Sequence, residues 1–168
     1  GDRPAKPEEA GDGSDKRTLA DVLESALGNQ EKVRRLGFHM DNFGKSLQEV
    51  KVGDPGPEEI SKRMETALKE FQKAAEIVKP EDVVNYREDR RIIKEAIRLE
   101  QEKDEKDQDL EKLKILKQVE RNLYVLERAP GLTYGNAALS LYSVGDVQPI
   151  EGEPYNGRSR ASAMLERA

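Results

Sequence analysis

From Leu19 to Val50, apolar residues recur at alternating steps of three and four: Leu19, Val22, Ala26, Val33, Leu36, Met40, Phe43, Leu47 and Val50, with Asn29 as the one polar rung. That spacing keeps every rung on one stripe of a helix, the seam of a coiled coil or bundle. A single helix over Thr18 to Val50 would be roughly 50 Å long. It cannot stand alone in water, because its stripe has to be covered. The remainder of the chain must therefore supply helices that cover it.

Composition agrees with slender helices rather than a thick core. Apolar residues make up 35% of the 168 residues and charged residues 38%, which suits rods that bury one stripe and solvate the rest. Net charge is −5 with acids and bases interspersed, so no large basic face is implied and nucleic-acid binding is not expected. The absence of cysteine excludes disulfides, thiolate metal sites and thiol catalysis. No apolar run reaches the ~20 residues that a membrane span needs. A chain beginning at Gly1 is compatible with removal of a leader peptide, hence with an exported or organelle-lumenal protein, and equally with a trimming scar.

Three regions follow from the pattern. Residues 1–17 hold only small, charged and proline residues, and read as a flexible leader. Residues 18–129 read as the helical bundle. Thr18 is a candidate N-cap with Asp21 in the first turn. Gly28, Gly37 and Gly44 interrupt the first helix without breaking its register; Gly28-Asn29 is the alternative place for a break, and Gly37 and Gly44 offer bare backbone for close approach of another helix. Val52 to Pro57 is the strongest turn signal, with Pro57 suited to the first helical position. A second helix to Lys79 carries Ile60, Met64, Ala67, Phe71, Ala74 and Val78. Its short connection predicts an antiparallel return, and Glu58–Lys62, Glu59–Arg63 and Glu65–Lys69 are spaced as ion pairs on its outer face.

Lys79-Pro80 opens a third helix with Val83, Tyr86, Ile92, Ile93, Ala96, Ile97 and Leu99. It enters residues 100–109, which contain no apolar residue. Either one helix runs from Pro80 to Arg128, or the chain breaks near Asp104–Asp109; capping by Asp107 or Asp109 favours the break. Leu113, Leu116, Val119, Leu123 and Leu126 form the last seam, stopped by Ala129-Pro130-Gly131. Residues 130–168 read as an irregular tail, first a strand or a strap over the bundle, then a candidate terminal helix over 159–168. The fold expected is all-α: an antiparallel bundle of three or four long helices with a mobile N-terminal leader and an irregular C-terminal tail.

Chemistry is sparse. His39 is the sole histidine, which rules out a relay or metal site built on several. The acidic run 100–109 lacks the glycine of a calcium loop and is interrupted by Lys103 and Lys106, so it reads as a solvated face. Arg34-Arg35 and Arg90-Arg91 read as partners for surface acids. No catalytic, cofactor-binding or metal-ligating residue is assigned. The candidate partner-binding residues are Leu132, Tyr134, Leu139, Leu141, Tyr142 and Val144, an apolar strip outside the helical seams, to be read either as a strap or as a docking element.

Leu68 to Tyr86, LKEFQKAAEIVKPEDVVNY, resembles a helix–turn–helix segment of the PsbQ-type extrinsic subunits of photosystem II, through Ala74-Ala75, the basic turn ending at Pro80, Asp82 and Tyr86. That resemblance implies a four-helix bundle on the lumenal side of a membrane complex. The residues themselves point to a non-catalytic structural or protein–protein interaction subunit, acting within a larger complex, at a membrane complex's periphery or by self-association. A small-ligand binder or enzyme with a site inside the bundle is the third reading; it needs inward-facing polar groups, and the seams offer almost none beyond Asn29.

Overall fold

The structure is a computed structural model that describes residues 16–144. It is an all-α bundle with no strand among those residues. The helices are α1 (Leu19–Glu24), α2 (Ala26–Glu49), α3 (Pro57–Ala75), α4 (Val83–Gln101), α5 (Leu110–Arg128) and α6 (Tyr134–Val144). The leader up to residue 15 and the candidate helix over 159–168 lie outside the described residues.

The seven-residue ladder is the core-facing stripe of α1 and α2. Val22, Leu36, Phe43 and Val50 are buried, and Leu19, Ala26, Val33, Met40 and Leu47 pack along the rim of the same cluster. Thr18 starts α1 as a capping box: its hydroxyl accepts the Asp21 N–H at 3.2 Å and the Asp21 carboxylate accepts the Thr18 N–H at 2.9 Å. The rod steps at Ser25, not at Gly28-Asn29. Ser25 Oγ donates to the Asp21 carbonyl at 3.3 Å, while its N–H is shared between the Asp21 and Val22 carbonyls. Such back-bonding competes with the regular helical ladder. Gly28, Gly37 and Gly44 have no neighbour within 4 Å of where a Cβ would sit, so the close helix approach expected at Gly37 and Gly44 does not occur.

The α2–α3 turn uses backbone that favours glycine: Gly53 has φ +80° and Asp54 φ +56°. Arg63 closes it, its Nη1 donating to the carbonyls of Glu49 at 2.9 Å and Val52 at 2.8 Å. These carbonyls belong to the last residue of α2 and to the turn that follows it, where the helical ladder runs out. Pro57 takes the first position of α3, and Glu59–Arg63 forms at 3.1 Å. His39 Nδ1 and Asn42 Nδ2 meet Glu70 Oε1 across the α2–α3 pair, each at 3.2 Å.

α4 and α5 form a second antiparallel hairpin. The break favoured by capping is present: Asp109 caps α5 by accepting the Lys112 N–H at 3.1 Å. The run before it is no loose polar loop. Glu100 is buried and accepts the Asp109 N–H at 2.8 Å and Lys103 Nζ at 3.1 Å, and Gln108 Nε2 donates to the Gln101 and Lys103 carbonyls. Leu99, by contrast, is exposed. The hairpins join where α2 packs on α5 and α1 on α4.

The structure corrects the reading of the chain after Arg128. α5 ends there, but the chain continues through a π-helical turn, Ala129–Thr133, straight into α6. Pro130 lacks an N–H, and the wider turn passes it without a stop. The expected strand or irregular strap is therefore helix as far as Val144. It belongs to the core: Tyr134, Ala137, Ala138 and Leu141 are buried against the cluster, and α6 packs on α3.

Candidate functional site

The six residues singled out in the apolar strip divide by helical periodicity. Tyr134 and Leu141 point inward, at 2% and 1% exposure. Val144 packs at the edge of the core. Leu132, Leu139 and Tyr142 face out. The strip is thus both things at once: one side closes the bundle and the other is presented to the surroundings.

Tyr134 fixes which side is which. Its ring lies 5.9 Å from Phe71, which in turn meets Phe43 edge-on at 5.5 Å. Its hydroxyl donates to the Ala74 carbonyl at 2.7 Å, satisfying an acceptor in the last turn of α3. Burial pushes the Tyr134 hydroxyl well above the ordinary phenol range. With that side locked, Leu132 and Leu139, seven residues apart, share the outer stripe. No charged residue occurs from Gly131 to Gly145, in a chain of which 38% is charged. Leu27, Phe38, Val84 and Ile115 are also exposed, but each sits among charged neighbours, which is ordinary for a protein surface.

Most charged groups singled out in the sequence are engaged with one another. Arg34 pairs with Glu31, Arg91 with Glu88, and Arg90 reaches Glu120 at 2.7 Å and Glu127 at 3.0 Å. The Lys73 ammonium, helped by His39 and Asn42, holds the Glu70 carboxyl down to about 2 against the desolvation that opposes it. The Asp109 N–H and Lys103 likewise hold Glu100 below the usual carboxylate range. Among the described residues no group of three or more His, Cys, Asp or Glu is placed to hold a metal ion, and no helix is long and apolar enough to cross a membrane.

A second feature was only hinted at in the sequence. The weak rung, Asn29, is 6% exposed and lines a cleft of about 390 Å³ between α1, α2 and α4, together with Arg17, Ser25, Lys32, Tyr86 and Asp89. Arg17, which composition assigns to the leader, is anchored there by two bonds to Asp89, at 2.9 and 3.0 Å. A shallower groove of about 410 Å³ runs beside Arg90, Lys117 and Tyr124. Sequence reasoning missed Arg17, Lys32 and Asp89 because each looks like one more surface charge; the polar rung at a seam position was the available signal.

No protein-family model, characterised protein or solved structure matches this chain. The likeness of Leu68–Tyr86 to PsbQ-type subunits therefore stands on that hairpin alone.

Proposed function

We propose that this protein is a non-catalytic interaction subunit that docks a protein partner along the outer face of α6. The observation that supports this reading is the uncharged stretch from Gly131 to Gly145, which carries Leu132 and Leu139 on its exposed side while Tyr134 and Leu141 hold the helix in register. An uncharged apolar stripe fixed to a rigid bundle offers contact area at little ordering cost. The partner it fits is an apolar face of another helix, laid along α6 as one rod beside another.

The test is the full chain carrying a photo-crosslinking residue at position 139, or at exposed Glu111 as control, in extract of the native source. A discrete partner captured from position 139 alone, and lost when Leu132→Glu is added without change in helicity or melting temperature, supports docking through α6. Equal capture from both positions, or capture that survives Leu132→Glu, removes the assignment.

A further inference from the structure

The cleft between α1, α2 and α4 is lined by a buried polar side chain, Asn29, that no described protein group satisfies. Asn29 is more than nine-tenths buried, yet its side-chain amide makes no hydrogen bond among the described residues. Such a group costs free energy unless it finds a partner. It sits on a seam position, where an apolar residue would continue the ladder on both sides. One turn on, Lys32 projects from the same face. The Lys32 ammonium donates to the Tyr86 hydroxyl at 2.9 Å and has no carboxylate in ion-pair range among the described residues. Accepting that bond leaves the Tyr86 O–H proton available as a donor.

We infer that this cleft is a binding site for a small organic monocarboxylate, whose carboxylate is received by Lys32 Nζ, the Tyr86 hydroxyl and the Asn29 amide. All three groups line the one cleft, whose volume of about 390 Å³ is within the range of small-molecule sites. The cleft's charged lining is Arg17 and Lys32 against Asp82, Glu88 and Asp89, so a ligand of low negative charge is the one that Lys32 can hold there. Arg17 is already neutralised by its paired bonds to Asp89, so Lys32 is the one uncompensated cation on the wall. Asp82 and Glu88 also border the cleft and repel a dianion. A planar carboxylate meets these limits; a phosphate dianion does not. The site is independent of α6.

The experiment titrates the full-length protein with sodium butyrate, and separately with inorganic phosphate, following the Asn29 side-chain amide and backbone amides by NMR. Saturable shifts confined to Asn29, Lys32, Tyr86 and their neighbours with butyrate, and none with phosphate, are expected. Lys32→Met should weaken butyrate binding roughly ten- to hundredfold, the range for one charge-assisted hydrogen bond. Asn29→Leu should abolish binding while raising the melting temperature, because it restores the ladder and removes the unpaired amide. That opposite movement separates a ligand residue from a merely structural one. No saturable shift with butyrate, binding unchanged in Lys32→Met, phosphate binding in preference to butyrate, or an Asn29→Leu variant that melts lower while still binding would each overturn the assignment.

Discussion

Where α4 meets α5 the flank is stitched by charge: Arg87 to Glu127, and Arg90 to both Glu120 and Glu127, with Arg90 and Arg128 stacked on the Tyr124 ring at 4.7 and 4.9 Å. Where α3 meets α2 and α6, the joint is aromatic: Phe43, Phe71 and Tyr134 in a row, with one hydroxyl tied to the Ala74 carbonyl. Both joints hold helices side by side, but they fail in different ways. The charged flank is largely buried at Arg90 and Glu127 and is sensitive to the loss of one partner. The aromatic joint depends on volume, because its atoms are close-packed. The difference bears on the proposed docking through α6. The aromatic joint holds α6 from one side, through Tyr134, while Leu139 on its other side stays exposed.

The largest expected effect tests the aromatic joint. Phe71→Ala should cost about 3–5 kcal/mol, read by chemical denaturation, because Phe71 is 1% exposed and sits between two other rings. A cost below about 1 kcal/mol would mean that the joint collapses around the cavity, and the contrast between the two regions would fail. Next comes the charged flank. Arg90→Met should cost about 2 kcal/mol by leaving the Glu127 carboxylate, 10% exposed, short of a donor. The loss should shrink when Glu127→Gln is added.

Acid acts on the α2–α3 pair through Glu70. Glu70 is held at about 2 in the fold, below its ordinary value, so the stability it supplies is present above about pH 4.5 and is lost as pH falls toward 2. The expected loss is about 2 kcal/mol, less than full linkage because Lys73 is exposed. Glu70→Gln should flatten the pH dependence of melting in that window. A smaller effect is expected of Tyr134→Phe, about 1 kcal/mol, with faster hydrogen exchange at the end of α3, where the Ala74 carbonyl loses one of its donors and keeps the Ile77 N–H. Smallest of all, Leu139→Ser should change stability by under about 0.5 kcal/mol, because Leu139 is exposed. A larger loss would show that the outer face of α6 also works for the fold.

Much of the architecture was legible because it is written in local periodicity. The ladder of α1 and α2, the seam of α5, Thr18 as cap, Pro57 at the start of α3 and Asp109 at the start of α5 are all short-range signals, and each is present. The tail was misjudged for an equally physical reason. Gly131 and Gly135 weaken helix propensity and Pro130 is a breaker, so the local signal opposed a helix there. Contacts with α3 override it. The sequence could not divide the strip's six residues into two faces, since an inward Tyr134 and an outward Leu139 look alike until a neighbour is placed. The cleft was less visible still: Arg17 and Asp89 are far apart in the chain, and nothing local pairs them.

The sequence by itself determined that this chain makes rods, where most of them begin, and which stripe of each is buried, because helix periodicity and capping act over a few residues. Only the tertiary structure decided that the chain past Pro130 is helical, which side of α6 faces outward, and that Asn29, Lys32 and Tyr86 share one cleft. Those outcomes depend on contacts between residues distant in sequence, whose energies no local pattern records.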